Sequence, residues 1–251
     1  MDWTDDGIVI AARKHGESAV ILSLLTREHG RHGGLVRGGA SSRARGLYQT
    51  GNLLRAAWRG RLPEHLGSYS CELLRGYAGP LLDDAQRLGA LGAFCSLLER
   101  ALPEHEPHPA LFEDSLHLLD LLSVPEAGPG QRKEGADQWA PAYVRWELAL
   151  LRDLGYGLDL GSCALTGETE GLAFVSPNTG RAVTAEAAAP WKGKLLALPE
   201  FLQENGDAYG ADRASVRDGL ALTGWFLERH LFAPQNLNLP AARTRFVEAF
   251  R

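Results

Sequence analysis

Two hydrophobic periods divide the chain. Over the first 77 residues, apolar positions come in short β-branched or aliphatic runs separated by glycine-rich turns. Gly7–Arg13 holds Ile8-Val9-Ile10, Ser18–Thr26 holds Val20-Ile21-Leu22 and Leu24-Leu25, and a third run, Arg31–Arg37, is broken by Gly33-Gly34. Leu53–Trp58 and Tyr69–Leu74 follow, with Leu54, Ala56 and Trp58 alternating against Leu53, Arg55 and Ala57 in the period of a half-buried strand. Five strands in about 70 residues leave no room for crossover helices, so the pattern predicts a small antiparallel barrel. From Leu81 the period becomes helical. Leu88, Leu91, Phe94, Cys95, Leu98 and Leu102 share one face, and Leu111, Phe112, Leu116, Leu119 and Leu122 share another. Trp139, Tyr143, Trp146, Leu150 and Leu154 form a third stripe that stops at Gly155. Lys194–Gln203 and Asp212–Leu231 read as further helices, Pro125–Gln138 as a loop, and Gly161–Arg181 as irregular. The expected organisation is α+β. A five-stranded barrel over residues 1–78 precedes an α-helical domain over 79–251, which carries a ribbon-like insert around 160–190.

Composition supports a folded chain and excludes several classes. With 251 residues, 45% of them hydrophobic and 20 aromatic, there is material for a core. The longest apolar run, Ala19–Leu25, is of strand length and interrupted by Ser23, so no membrane span is expected. The opening Met1-Asp2-Trp3-Thr4-Asp5-Asp6 is acidic where a signal peptide would be basic. Three widely spaced cysteines, Cys71, Cys95 and Cys163, fit a reducing compartment better than a disulfide framework.

Net charge is −5, which alone argues against nucleic acid, but the charge is unevenly placed. Residues 1–77 hold eleven of the 26 basic residues and seven of the 31 acidic ones, a balance of +4 that leaves −9 for the remainder. Between Arg27 and Arg61 stand eight arginines (Arg27, Arg31, Arg37, Arg43, Arg45, Arg55, Arg59, Arg61) and one acid, Glu28. Arg43 and Arg45 lie in Gly38-Gly39-Ala40-Ser41-Ser42-Arg43-Ala44-Arg45-Gly46, too polar for a core and able to drape guanidinium groups over phosphates. With Lys14, these nine cations form the candidate DNA-binding set. Tyr48, Trp58 and Tyr69 are available for base stacking, with Trp58 the more natural core residue and Tyr48 the better candidate.

Other chemistry is thin. Cys163-Ala164-Leu165-Thr166 and Thr184-Ala185-Glu186-Ala187 have the spacing of two C-x2-C pairs 17 residues apart. Only Cys163 is a thiol, whereas a structural zinc needs four donors, so no metal and no cofactor is expected. Asp83-Asp84 reads as a helix cap. There is no G-x-x-x-x-G-K-[ST], G-x-S-x-G or H-E-x-x-H, and no pairing of nucleophile and base, so no catalytic residue is assigned.

The chain resembles the recombination mediator RecO family of bacterial DNA repair proteins. The resemblance is carried by Gly30-Arg31-His32-Gly33-Gly34-Leu35-Val36-Arg37-Gly38, by Gln49-Thr50-Gly51-Asn52 leading to Trp58-Arg59-Gly60-Arg61-Leu62, and by Leu66-Gly67 and Glu72. It continues through Trp146-Glu147-Leu148, Leu154-Gly155, Asp159-Leu160, Cys163, Gly167, Val175-Ser176-Pro177 and Gly180-Arg181-Ala182. It implies an N-terminal OB-fold, a helical C-terminal domain and no enzymatic activity. It also implies binding and annealing of single- and double-stranded DNA in the cytoplasm, at the nucleoid during repair. The implied partners are RecR, RecF, the acidic tail of single-stranded DNA-binding protein and, indirectly, RecA. A zinc motif of four cysteines in some members does not carry over, since Thr166, Thr184 and Ala187 stand at three of its places. Lys192, Lys194, Arg213 and Arg217 are candidate cations for the acidic tail. Two other classes stay open: an OB-fold protein-interaction adaptor that does not bind DNA directly, its arginines paired internally, and an enzyme with a site between the two modules.

Overall fold

The computed structural model describes residues 1–62, 65–124, 138–203, 206 and 211–250, and of Arg43 and Lys192 only the backbone. The loop expected over 125–138 thus lies, but for its last residue, outside the described residues. The chain divides into two compact units, Met1–Ser123 with Pro240–Phe246 and Val124–Leu239 with Val247–Arg251.

The first unit opens with five strands: β1 (Asp2–His15), β2 (Ala19–Thr26), β3 (Gly30–Val36), β4 (Leu53–Arg59) and β5 (Ser68–Arg75), with a one-turn helix α1 (Ser42–Arg45) between β3 and β4. They close in the order β1-β2-β3-β5-β4, the small barrel anticipated from the run lengths and the OB-fold that the family resemblance implies. Every pairing is antiparallel except β3 with β5, a single parallel rung of Leu35 and Ser68. β1 begins five residues earlier than its apolar run, because the polar stretch Asp2–Asp6 pairs with Arg55–Arg59 of β4.

Val9, Val20, Leu22, Leu24, Val36, Leu54, Ala56, Trp58 and Tyr69 fill the barrel. Two glycines make room for its large rings. A Cβ on Gly34 would lie 2.2 Å from the Tyr69 ring, and one on Gly67, already at φ +56°, would lie 2.4 Å from Trp58. On β1 the outward Ile8 and Ile10 are as buried as the inward Val9, because α2 (Ala85–Ala101) lies against that strand. Asp84 caps α2, its carboxylate accepting from the N–H groups of Gln86 and Arg87 at 3.0 Å each. α3 (Pro109–Leu122) completes the helical layer of this unit.

In the second unit, α4 (Trp139–Asp153) ends where the sequence predicts, with Gly155 at φ +86° just beyond. Its stripe of Tyr143, Trp146 and Leu150 is buried, as are Val216, Leu220 and Leu227 of α5 (Arg213–Leu227), the helix it packs on. Three short strands, β6 (Leu172–Val175), β7 (Ala182–Thr184) and β8 (Leu196–Ala197), form a sheet in the order β7-β6-β8. The helix expected over Lys194–Gln203 is instead the end of a 3-10 turn, β8 and a second 3-10 turn. Pro199 lacks the N–H that a helix through this stretch would need. A last helix, α6 (Ala241–Glu248), belongs to the first unit up to Phe246 and had no clear signature in the sequence. Among the described residues no helix is long and apolar enough to cross a membrane.

Candidate nucleic-acid interface

The barrel ladders decide which cations share a surface. Arg59 pairs with Ser68, Ser68 with Leu35, Leu35 with Ile21 and Ile21 with Arg13, so one rung runs across all five strands. The next rung joins Lys14, Val20 and Val36, with Arg37 immediately after. Neighbouring strands lie about 4.8 Å apart, which puts Arg59 and Leu35 two spacings, roughly 10 Å, from each other across β5. Arg61 follows Arg59 by two residues, and the β3–β4 connection delivers Arg43 and Arg45 in α1. Lys14, Arg37, Arg45, Arg59 and Arg61 are all exposed and, among the described residues, none is in an ion pair; Lys14 and Arg45 border one hollow, whereas Arg59 lies across from Asp2, at the other end of β1 from Lys14. Arg43 joins them by its backbone position alone.

The remaining three cations of the candidate set are engaged elsewhere. Arg27 is paired with Glu113 of α3 and lies over the Phe112 ring at 4.8 Å. Arg31 meets Glu104 at 3.0 Å and donates from Nε to the Leu102 carbonyl at 2.8 Å. Arg55 forms a two-pronged pair with Asp6, its cross-strand partner, at 2.8 and 3.3 Å. Two arginines outside the set do likewise: Arg13 with Glu99 at 2.5 Å and Arg75 with Asp120 at 2.6 Å. The shortage of acids in the basic third of the sequence is thus partly made good by Glu99, Glu104, Glu113 and Asp120, which the helical layer brings against the barrel. A count confined to one stretch of sequence could not register them.

Among the described residues, the three rings considered for stacking are buried, and the half-buried Trp3 lines a concavity together with Arg59. Trp58 is 1% exposed and donates from Nε1 to the Leu66 carbonyl at 3.2 Å, while Tyr69 is buried with its hydroxyl 3.2 Å from Nδ1 of His32. Tyr48 is buried too, so base stacking is not its role. Trp3, unremarked in the sequence, is sandwiched between His29 at 4.0 Å and Trp58 at 5.7 Å. Burial, reinforced by the nearby charge of His105, pulls the His32 imidazole down to about 4, so it stays neutral at ordinary pH. What lies between the cations is small or aliphatic: Ile21 and Ser23 on β2, Gly33 and Leu35 on β3, and Leu66, 44% exposed. This surface offers charge and van der Waals contact, with Trp3 the half-buried ring that shares a concavity with Arg59. Two concavities indent the barrel: one of about 380 Å³ touched by Lys14 and Arg45, and one of about 610 Å³ touched by Arg59 and Ser68.

In the second unit the four positions with paired spacing do converge. The Thr184 N–H donates to Cys163 Sγ at 3.4 Å, the Thr184 hydroxyl lies 3.7 Å from that sulfur, and the Ala187 N–H donates to the Thr184 hydroxyl at 3.4 Å. The donors are one thiol, two hydroxyls and a methyl-bearing alanine, which do not fit zinc. Burial works against a thiolate here, but hydrogen bonds from the Thr166 hydroxyl and from the N–H groups of Thr184, Leu165 and Thr166 outweigh it and bring Cys163 down to about 6. Among the described residues no three His, Cys, Asp or Glu side chains are placed to hold a metal ion. Of the cations considered for an acidic tail, Lys194 is exposed, Arg213 lies 5.6 Å over Phe250 and Arg217 pairs with Asp218 at 3.2 Å; the Lys192 side chain is outside the description.

Comparison with known proteins covers both units. Residues 1–77 match the family described as Recombination protein O N terminal, and residues 82–238 match Recombination protein O C terminal. The DNA repair protein RecO of Rhodospirillum rubrum is 52% identical over 251 residues, spanning 100% of this chain and 97% of that protein. RecO of Rhodospirillum centenum is 52% identical over 253 residues, 100% of this chain and 95% of the other, and RecO of a Ruegeria species is 46% identical over 99% of this chain and 98% of its own length.

Proposed function

The chain belongs to the RecO family of bacterial DNA repair proteins, and on that premise we propose that it is a recombination mediator that works by binding, with no bond made or broken. The observation carrying the proposal is that the barrel presents exposed cations without ion pairs among the described residues, delivered by β1, the β3–β4 connection, β4 and the β4–β5 connection. Lys14, Arg37, Arg43, Arg45, Arg59 and Arg61 hold the sugar-phosphate backbone of single- or double-stranded DNA without reading sequence. Arg27, Arg31 and Arg55 support the fold instead. Each phosphate neutralised on a single strand releases about 0.7 counterion, so five contacts predict a log–log salt slope of about −3.5. Binding then weakens roughly 100-fold between 50 and 200 mM salt. Annealing follows, since one basic surface that screens two backbones lowers their mutual repulsion. The acidic remainder of the chain docks proteins: RecR, RecF and the acidic tail of single-stranded DNA-binding protein, so that RecA is loaded onto coated strands.

The engaged state of Arg27, Arg31 and Arg55 favours a second reading, the adaptor that does not touch DNA. Fluorescence anisotropy of a labelled oligonucleotide separates the two. The mediator binds at low salt and weakens in Arg43→Ala/Arg45→Ala. An adaptor shows no binding at low salt, and unchanged affinity in the double variant would move the DNA site away from the β3–β4 connection.

A further inference from the structure

A stack of three rings in the second unit ends in the open. Phe226 of α5 is 2% exposed, His230 lies nearly parallel to it at 5.9 Å and 7°, and Tyr156 lies on His230 at 4.8 Å and 19°. Tyr156 is 41% exposed although one of its faces rests on the imidazole, and among the described residues no other ring meets it. Its chain neighbours are Gly155 and Gly157, so no adjacent side chain folds over the ring, and a Cβ on Gly155 would stand in open space. The backbone fixes where the phenol stands: the Tyr156 N–H donates to the Leu151 carbonyl at 2.8 Å, just past the end of α4. The imidazole beneath it is placed by an irregularity. Beyond Leu227 the chain continues from α5 as a π-helical turn, Glu228–Phe232, with His230 at its centre. Such turns are rare and recur at functional sites.

We infer that Tyr156 is a stacking platform for one unpaired nucleobase of a bound single strand, the base adding a fourth plane to the series Phe226, His230, Tyr156. The inference rests on the chain being a DNA-binding protein and goes beyond the barrel, because it gives a strand a contact in the second unit. An oriented, exposed ring takes a flat partner, and every base has a flat face to offer. A hold by charge is disfavoured in this part of the chain, since the residues beyond 77 carry a balance of −9, whereas stacking needs no cation. An aromatic side chain of a partner protein is the competing flat group. The base is favoured because the family to which the chain belongs is one of DNA repair proteins.

The test uses the full chain, a labelled single-stranded oligothymidylate and a labelled duplex of the same length, with affinity followed across salt for wild type, Tyr156→Leu and Tyr156→Trp. Tyr156→Leu keeps an apolar side chain on His230 but offers no flat face. It is expected to bind the single strand about fivefold more weakly with an unchanged salt slope, because a neutral contact releases no counterion. Its duplex affinity should equal that of wild type, since bases within a duplex are already stacked on one another. Tyr156→Trp, which keeps a flat face, should hold the single strand at least as tightly as wild type. The platform is overturned if Tyr156→Leu binds the single strand like wild type, if it weakens single strand and duplex alike, or if Tyr156→Trp is as weak as Tyr156→Leu. Each of these outcomes leaves the DNA-binding reading standing, whereas no binding of either probe by wild type removes both.

Discussion

Asn52 is the residue on which the shape of the basic loop turns. It is 2% exposed and uses both ends of its amide: Nδ2 donates to the Gly46 and Leu47 carbonyls, and Oδ1 accepts from the N–H groups of Tyr77 and Ala78 at 3.1 and 3.3 Å. Asn52→Ala leaves these groups buried and unpaired, so a loss of about 2–3 kcal/mol in unfolding free energy is expected in urea titration. The same variant should weaken oligonucleotide binding, because α1 is no longer held. His32 gives the residue scale a pH dependence. Its folded-state value of about 4 lies below the 6.5 of an unfolded histidine, so the folded chain favours the neutral ring. Its contribution is complete above pH 6.5 and is lost as pH falls from there through about 4. The urea midpoint should therefore drop between pH 7.5 and 4.5, and His32→Asn should flatten that part of the profile. Single residues were legible where local chemistry decides, as with the Asp84 cap and the core position of Trp58. Tyr48 was not, because the barrel core it joins is assembled from all five strands.

At the scale of elements, the arginines sort into two groups that sequence position does not separate. Arg13, Arg27, Arg31 and Arg75 meet acids of α2, α3 and the segment between them, while Lys14, Arg37, Arg45, Arg59 and Arg61 meet none among the described residues. The first group holds the helical layer to the barrel, the second is free for a ligand. Arg27→Ala/Arg31→Ala should lower thermal stability modestly, by about 1 kcal/mol or less per exposed pair, and leave DNA affinity near wild type. Arg37→Ala/Arg59→Ala should do the reverse. A thermal melt and an anisotropy titration on both variants check this, and a DNA defect in the first would place the strand on the paired arginines instead. Strands β1–β5 and helices α2–α5 were legible because their periods run for a strand's or a helix's full length. β6, β7 and β8 were not, being two to four residues long and specified by pairing rather than by pattern. The same holds for the ion pairs: cross-strand register links Arg55 to Asp6, 49 residues away, and no local window contains both.

For the whole molecule, the charge asymmetry between barrel and remainder is the property with the clearest consequence. An acidic chain with pI near 5.9 can bind a polyanion only through a surface on which its cations are locally in excess. Metal plays no part in this account: the Cys163, Thr166, Thr184 and Ala187 positions are held by hydrogen bonds, so the melting temperature should be the same with and without a chelator. The most direct test of the central claim is the salt dependence of single-strand affinity, compared between wild type and Arg37→Gln/Arg45→Gln/Arg59→Gln/Arg61→Gln. A log–log slope of about −3.5 is expected for wild type, falling to between about −0.7 and −1.4 when Lys14 and Arg43 alone of the six cations remain. Equal slopes for the two proteins, or a wild-type slope near zero, would contradict it.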